Sequence, residues 1–184
     1  SPRCQGEFPR RQDDRSHKGS VMKTAAIGLG SNVGDRLGNL RNAVNALSGS
    51  DFLVTARSFV YETPPFGRTD QPRFLNAAII GEFAGNPSSL LTLLKDVEKR
   101  MGRQDRGRWG PREIDLDLLM IPDFVYSSKT LEIPHPGLAE RAFVLVPLAE
   151  IAPGWVHPVL GIDIASLAEK VKSEAQSFCR IARL

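Results

Sequence analysis

The run Glu113-Ile114-Asp115-Leu116-Asp117-Leu118-Leu119-Met120 constrains the fold of this chain more than any other stretch. Acidic and apolar residues alternate there with the period of a β-strand, whose successive side chains face opposite ways. Asp115 and Asp117 therefore share one face, with Cα atoms roughly 6.5–7 Å apart. Ile114, Leu116 and Leu118 share the other face and need a core to bury them. The strand is thus apolar on one side and chemically equipped on the other.

Two carboxylates on one face repel each other unless a cation or a proton lies between them. Magnesium is a hard ion held by one or two carboxylates together with substrate phosphates and waters. Just upstream stand Arg103, Arg106, Arg108 and Arg112, interrupted by Trp109-Gly110-Pro111. Guanidinium groups are permanently charged and match phosphate oxygens in geometry. Carboxylates for a metal beside arginines for phosphates are what nucleotide phosphoryl transfer requires. Taken alone, an Asp-x-Asp pair is more often only the solvated face of an edge strand. The arginine-rich flank is what shifts the reading.

The chain has 184 residues, 41% of them hydrophobic, enough for one domain with a core of its own. Net charge is +3, and residues 1–20 hold five Lys/Arg against three Asp/Glu, so the body is nearly neutral. The basic overall charge is therefore weak evidence for a nucleic-acid partner. The two cysteines, Cys4 and Cys179, set up neither a disulfide framework nor a metal spacing, so a reduced cytoplasmic protein is expected. No apolar run approaches the roughly 18 residues of a membrane span. Residues 1–20 are polar and aperiodic, and are expected to be a disordered tail or a cloning remnant, with Met22 as a natural start. Residues 21–184 are expected to form a single domain.

Along that domain, Val21 to Leu29 reads as a buried strand ending in the glycine-rich turn Gly28-Leu29-Gly30-Ser31-Asn32-Val33-Gly34. No Lys-Ser/Thr follows the last glycine, so this is not a Walker loop. Asp35 is placed to cap a helix whose apolar face is Leu37, Leu40, Val44 and Leu47, with Gly49 at its exit. Phe52 to Glu62 reads as a strand, and Thr63 to Arg73, with Pro64 and Pro65, as a long connection to a second strand over Phe74 to Phe83. Phe74, Asn76 and Ala78 share a face there, which suits a flat heterocycle or, more blandly, a core. Asn86-Pro87 opens a helix with Leu90, Leu94, Val97 and Met101 on one face, closed by Gly102. Glu98 lies in its last turns, where a solvated charge and a site residue are equally good readings. Phe124 to Thr130 reads as a turn region, Leu131 to Gly137 as a short strand entering a rigid turn, and Ile162 to Leu184 as a closing helix. Two helices among antiparallel strands give an α+β layered sheet.

Five ordered segments, GLGSNVGDR, YETPPFG, DQPRFLNAA, WGPREIDLDLLM and IPHPGLAERAFVLVPLAEIAP, cover roughly residues 22–160 and resemble the 6-hydroxymethyl-7,8-dihydropterin pyrophosphokinases of folate biosynthesis. The resemblance implies a ferredoxin-like α/β sandwich with a mainly antiparallel sheet. It implies ATP as co-substrate, two Mg2+ ions, a reduced pterin acceptor, and no obligate protein partner, nucleic acid or membrane. Asp115 and Asp117 then hold the magnesium, and Arg103 and Arg112 hold phosphates and assist transfer. Phe74 and Phe143 sandwich the pterin, Asn76 reads its edge with help from the backbone at Thr63, Pro64 and Phe66, and Trp109 closes over it. Glu98, His135 and Arg141 fall at nucleotide positions, together with Arg103 and Arg112. Phe74 stands where the family often has Tyr, and Pro136 where some members have Tyr. A ferredoxin-like nucleic-acid-binding module lacks the expected aromatic motif, and a magnesium-dependent nuclease usually needs more carboxylates.

Overall fold

The computed structural model describes residues 21–107 and 110–184. The tail expected over residues 1–20 lies outside the described residues, as does Trp109. Strand β1 (Lys23–Ser31) leads into α1 (Arg36–Ser48), then β2 (Phe52–Arg57), β3 (Phe59–Thr63) and β4 (Phe74–Phe83). Helix α2 (Pro87–Arg100) and β5 (Asp115–Met120) follow, then the hairpin β6 (Tyr126–Ser127) and β7 (Glu132–Ile133). The chain continues through α3 (Ala142–Ile151), α4 (Ile164–Lys170), α5 (Lys172–Ala175) and β8 (Cys179–Arg183).

Local chemistry sets the helix ends. Asp35 accepts from the Gly38 N–H at 3.0 Å, and Asn86 accepts from the Ser89 N–H at 2.8 Å, so both expected caps form. Leu40, Val44 and Leu47 are buried on α1, as are Leu90, Leu94 and Val97 on α2. Gly102, at φ +81°, turns the chain out of α2 in a conformation that disfavours other residues.

The main sheet runs β5-β1-β4-β3-β8, with β2 also on β4, and each pair is antiparallel. With β2 and β3 counted as one bent strand, the first part of the chain is the βαββαβ unit of ferredoxin-like folds. The single strand expected over Phe52 to Glu62 is broken at Ser58. Its N–H donates to Ala78 O and its hydroxyl accepts from Ala78 N–H, both at 2.9 Å, while the hydroxyl itself donates to Phe59 O. The side chain thus replaces a ladder bond and lets one long β4 hold two shorter partners.

One sheet face carries Ala25, Ile27, Leu29, Leu75, Ala77, Ile79, Leu116 and Leu118 against α1 and α2. Each Leu or Ile buried there contributes about 1.5–3 kcal/mol of transfer free energy. The opposite face carries Ala26, Ala78, Ile80 and Leu119 against Leu145 and Leu148 of α3 and Ile164 and Leu167 of α4. Those helices cover one end of that face, and the other end is the candidate site.

Three expectations need correction. Strand β1, expected over Val21 to Leu29 with its glycines in a turn, instead runs straight through Gly28 and Gly30 to Ser31, because β4 and β5 bond it on both sides. The region from Phe124 to Thr130 contains strand β6, paired with β7. The closing helix expected over Ile162 to Leu184 is two short helices and then β8, which pairs with the outer edge of β3. An open strand edge offers a row of backbone partners, and this long-range pairing outweighs local helix preference.

Candidate active site

A cavity of about 370 Å³ opens on the uncovered end of the second sheet face. Its floor is set by strand register. Asp115 pairs with Gly30, and Gly30 pairs in turn with Asn76; one step along, Asp117 pairs with Gly28, and Gly28 with Ala78. The two carboxylates and the amide thus project from the same face, separated by a strand without side chains. A Cβ on Gly30 would come within 2.9 Å of Asn76 Oδ1, and one on Gly28 within 3.2 Å of Leu119 Cδ2. The pattern Gly-x-Gly on one strand face was the available signal for this floor, hidden by reading the glycines as a turn.

The acidic side is built on β5. Ile114, Leu116 and Leu118 are fully or nearly fully buried, which fixes Asp115 and Asp117 toward the cavity. Burial, and then the neighbouring Asp115, push the Asp117 carboxyl up to about 6. Arg103 Nη2 lies 3.1 Å from Asp115 Oδ1, and Arg112 Nε lies 3.9 Å from Asp115 Oδ2. Arg112 lines the cavity, while Arg103 stands behind Asp115.

Glu98 does not line the cavity. It is buried between α2 and β5, where it accepts from Leu116 N–H at 2.7 Å, from Lys95 at 2.9 Å, and from Arg103. Lys95 also donates to Leu116 O at 3.2 Å. Two side chains of α2 thereby finish the outer edge of β5 in place of another strand, and Glu98 holds Arg103 against Asp115.

The opposite wall is aromatic and amide-bearing. Phe74, Phe143, Phe66, Thr63 and Pro64 line it together with Asn76. Asn76 is buried and donates from Nδ2 to Thr63 Oγ1 at 2.8 Å. The Phe66 and Phe143 rings meet at 5.7 Å and 52°, with the Arg141 guanidinium 5.3 Å from the Phe66 centroid. That guanidinium packs over Gly137, where a Cβ would meet Arg141 Nε at 2.3 Å.

His135 also lines the cavity. Its backbone N–H donates to Leu119 O at 2.7 Å and its ring Nδ1 accepts from Gly137 N–H at 3.0 Å. Burial, then the charge of Arg141, lowers its pKa below the ordinary histidine value. The ring is therefore neutral near pH 7, with its proton on Nε2.

The model of the 7,8-dihydro-6-hydroxymethylpterin-pyrophosphokinase family matches residues 26–153. This chain belongs to that family. It is 39% identical over 164 residues to 2-amino-4-hydroxy-6-hydroxymethyldihydropteridine pyrophosphokinase of Aquifex aeolicus, covering 89% of this chain and 100% of that one. It is 47% identical over 136 residues to the enzyme of that name from Methylorubrum extorquens, covering 73% of this chain and 86% of that one. The fold is similar to that of Plasmodium falciparum HPPK-DHPS, with a TM-score of 0.68 at 18% identity over 85% of this chain and 44% of that one.

Most residues that the pyrophosphokinase resemblance singled out converge on one cavity, with Arg103 and Glu98 supporting its acidic wall from behind. Sequence reasoning did not find Gly28, Gly30, Gln71 or Gly110 of the lining. It also passed over Asn32, which is buried and joins three parts of the chain. Asn32 Oδ1 accepts from Arg112 N–H at 2.8 Å, and Nδ2 donates to Gln71 Oε1 and Pro72 O, each at 3.0 Å. Arg106 turns to Glu113 at 2.5 Å, and that hydrogen bond lowers the Glu113 carboxyl to about 2. His157 is buried away from the cavity, accepting at Nδ1 from Val159 and Leu160 N–H groups in a turn.

Proposed function

We propose that this chain transfers a pyrophosphoryl group from ATP to the hydroxyl of 6-hydroxymethyl-7,8-dihydropterin, giving AMP and the pterin diphosphate. The observation that carries the reading is the row Asp115–Gly30–Asn76 across three strands. A carboxylate-and-arginine wall and an aromatic-and-amide wall face one cavity over a bare floor, which suits a triphosphate beside a flat heterocycle.

The donor set fits magnesium. Asp115 and Asp117 are two carboxylates on one face, and their mutual repulsion favours a cation beside them. Among the described residues no third His, Cys, Asp or Glu joins them as a metal-holding group, a set that Mg2+ completes with phosphate oxygens and water. Bound Mg2+, which we assign as two ions, supplies neutralisation of phosphate charge and a Lewis acid at the reacting oxygens. Arg112 binds phosphate oxygens from the cavity wall, and Arg103, held by Glu98, reinforces positive charge behind Asp115. His135 and Arg141 bind the nucleotide. Phe74 and Phe143 stack on the pterin, and Asn76 and Thr63 hydrogen-bond to its polar edge. The loops Gly102 to Arg112 and Thr63 to Arg73 exclude water when the substrates are seated.

The test is AMP release from ATP and Mg2+ with and without 6-hydroxymethyl-7,8-dihydropterin, for the parent chain and Asp117→Ala. Pterin-dependent AMP that is lost in the variant supports the reading. ADP as product, or AMP formed equally without pterin, rejects it.

A further inference from the structure

We infer that Glu62, Arg36 and Arg73 form a positioning cluster for the pterin wall, acting from the far side of the sheet. The inference rests on the reading that Thr63, Phe74 and Asn76 hold the pterin. Val60, two residues before Glu62 on β3, is buried in the same core as Leu40 and Val44 of α1, so Glu62 shares the face turned away from the cavity. There the Glu62 carboxylate meets two guanidinium groups. Arg36, the first residue of α1, places Nη1 2.9 Å from Glu62 Oε1 and donates from the same atom to Arg73 O at 2.8 Å. Arg73 Nε is buried without a hydrogen bond and faces Glu62 Oε2 at 3.5 Å. Arg73 Nη2 donates to Glu62 O at 3.4 Å and to Ser177 O, just before β8, at 2.8 Å.

The location gives the cluster its consequence. Glu62 and Arg73 flank the two ends of the connection that leaves β3 and returns on β4. Thr63, next to Glu62, and Phe74, next to Arg73, are paired across the strands, and both line the cavity. Fixing Glu62 to Arg73 therefore fixes the separation of the hydroxyl that Asn76 engages and the ring that stacks. Arg36 ties both to α1, and Ser177 ties them to the C-terminal segment. The ion pairs are partly exposed, with side-chain exposures of 25–41%, so they add little to global stability. A local displacement of a binding wall, in contrast, reads out in substrate affinity.

The experiment is steady-state kinetics in both substrates on Glu62→Ala, Arg36→Ala, the double variant, the milder Glu62→Gln, and Arg36→Lys. Thermal unfolding is followed in parallel. Glu62→Ala and Arg36→Ala should each raise the pterin KM about five- to tenfold while the ATP KM and kcat stay within about twofold. The double variant should match the singles rather than multiply them, because both lose one shared network. Arg36→Lys should restore the parent pterin KM, and Glu62→Gln should lie between parent and Glu62→Ala. Multiplicative effects, an unchanged pterin KM, or a fall confined to kcat overturns the positioning role. Asn76→Ala is the reference. If it leaves the pterin KM at the parent value, the pocket reading fails and the cluster's role with it. If it raises the pterin KM while the cluster variants do not, the positioning role alone fails.

Discussion

Asp117, half-buried on the cavity wall, and Glu98, buried behind β5, are neighbouring carboxylates whose surroundings give them opposite consequences. Asp117 has a like-charged neighbour, and its carboxyl is pushed up to about 6 against an ordinary value of 3.8. Between those values the folded chain binds a proton that the unfolded chain releases, so folding loses stability as pH rises from about 4 to 6. Asp117→Asn removes this linkage. In denaturant titrations of the metal-free chain, the variant should gain on the order of 2 kcal/mol over the parent at pH 7 and almost nothing at pH 4. Its activity should be lost. Equal stability differences at both pH values would contradict the assignment. Glu98 instead accepts from two cations and a backbone N–H. Glu98→Ala leaves Leu116 N–H and Arg103 without their acceptor and should cost about 2–4 kcal/mol, read as a lower denaturant midpoint.

Strand β1 shows how an element can matter through what it lacks. Gly28 and Gly30 sit in the middle of the sheet, where glycine is a poor strand former, and their bare Cα atoms are the floor between the acidic and aromatic walls. Gly30→Ala places a methyl 2.9 Å from Asn76 Oδ1 and displaces that amide. The expected result is a pterin KM raised about tenfold with a much smaller effect on the ATP KM, separable by varying each substrate in turn. The residues after β1 have the complementary role. Asn32 joins the arginine loop to the Gln71-Pro72 segment: its side chain bonds both, and its backbone N–H also donates to Arg112 O at 3.0 Å. Asn32→Ala should lower kcat/KM for both substrates, by about 10- to 100-fold, because both covering loops lose a common anchor. A change confined to one substrate would mean that the loops are independent.

At the scale of the whole molecule, β8 closes the outer edge of β3, and Arg41 and Arg73 reach its segment at Arg183 O and Ser177 O. Removing residues 179–184 should cost about 3 kcal/mol in lost ladder bonds, and lower Tm by roughly 6–12 °C. It should also increase aggregation, because β3 becomes an open edge. A truncated chain with the parent Tm would show that β8 adds no stability.

The sequence by itself determined the elements whose pattern is local. The Asp35 and Asn86 caps, the apolar faces of α1 and α2, and the alternation that turns Asp115 and Asp117 away from Leu116 and Leu118 each follow from spacing over a few residues. Tertiary structure decided what depends on partners far along the chain. The glycines of β1 became a floor because β4 and β5 flank them, and residues 179–183 became a strand because β3 had a free edge. Glu98 became a clamp for Arg103 and β5, Asn32 a joint between loops, and Glu62 a partner of Arg36 and Arg73. Local spacing fixes which way a side chain faces, but only the folded sheet fixes what it meets.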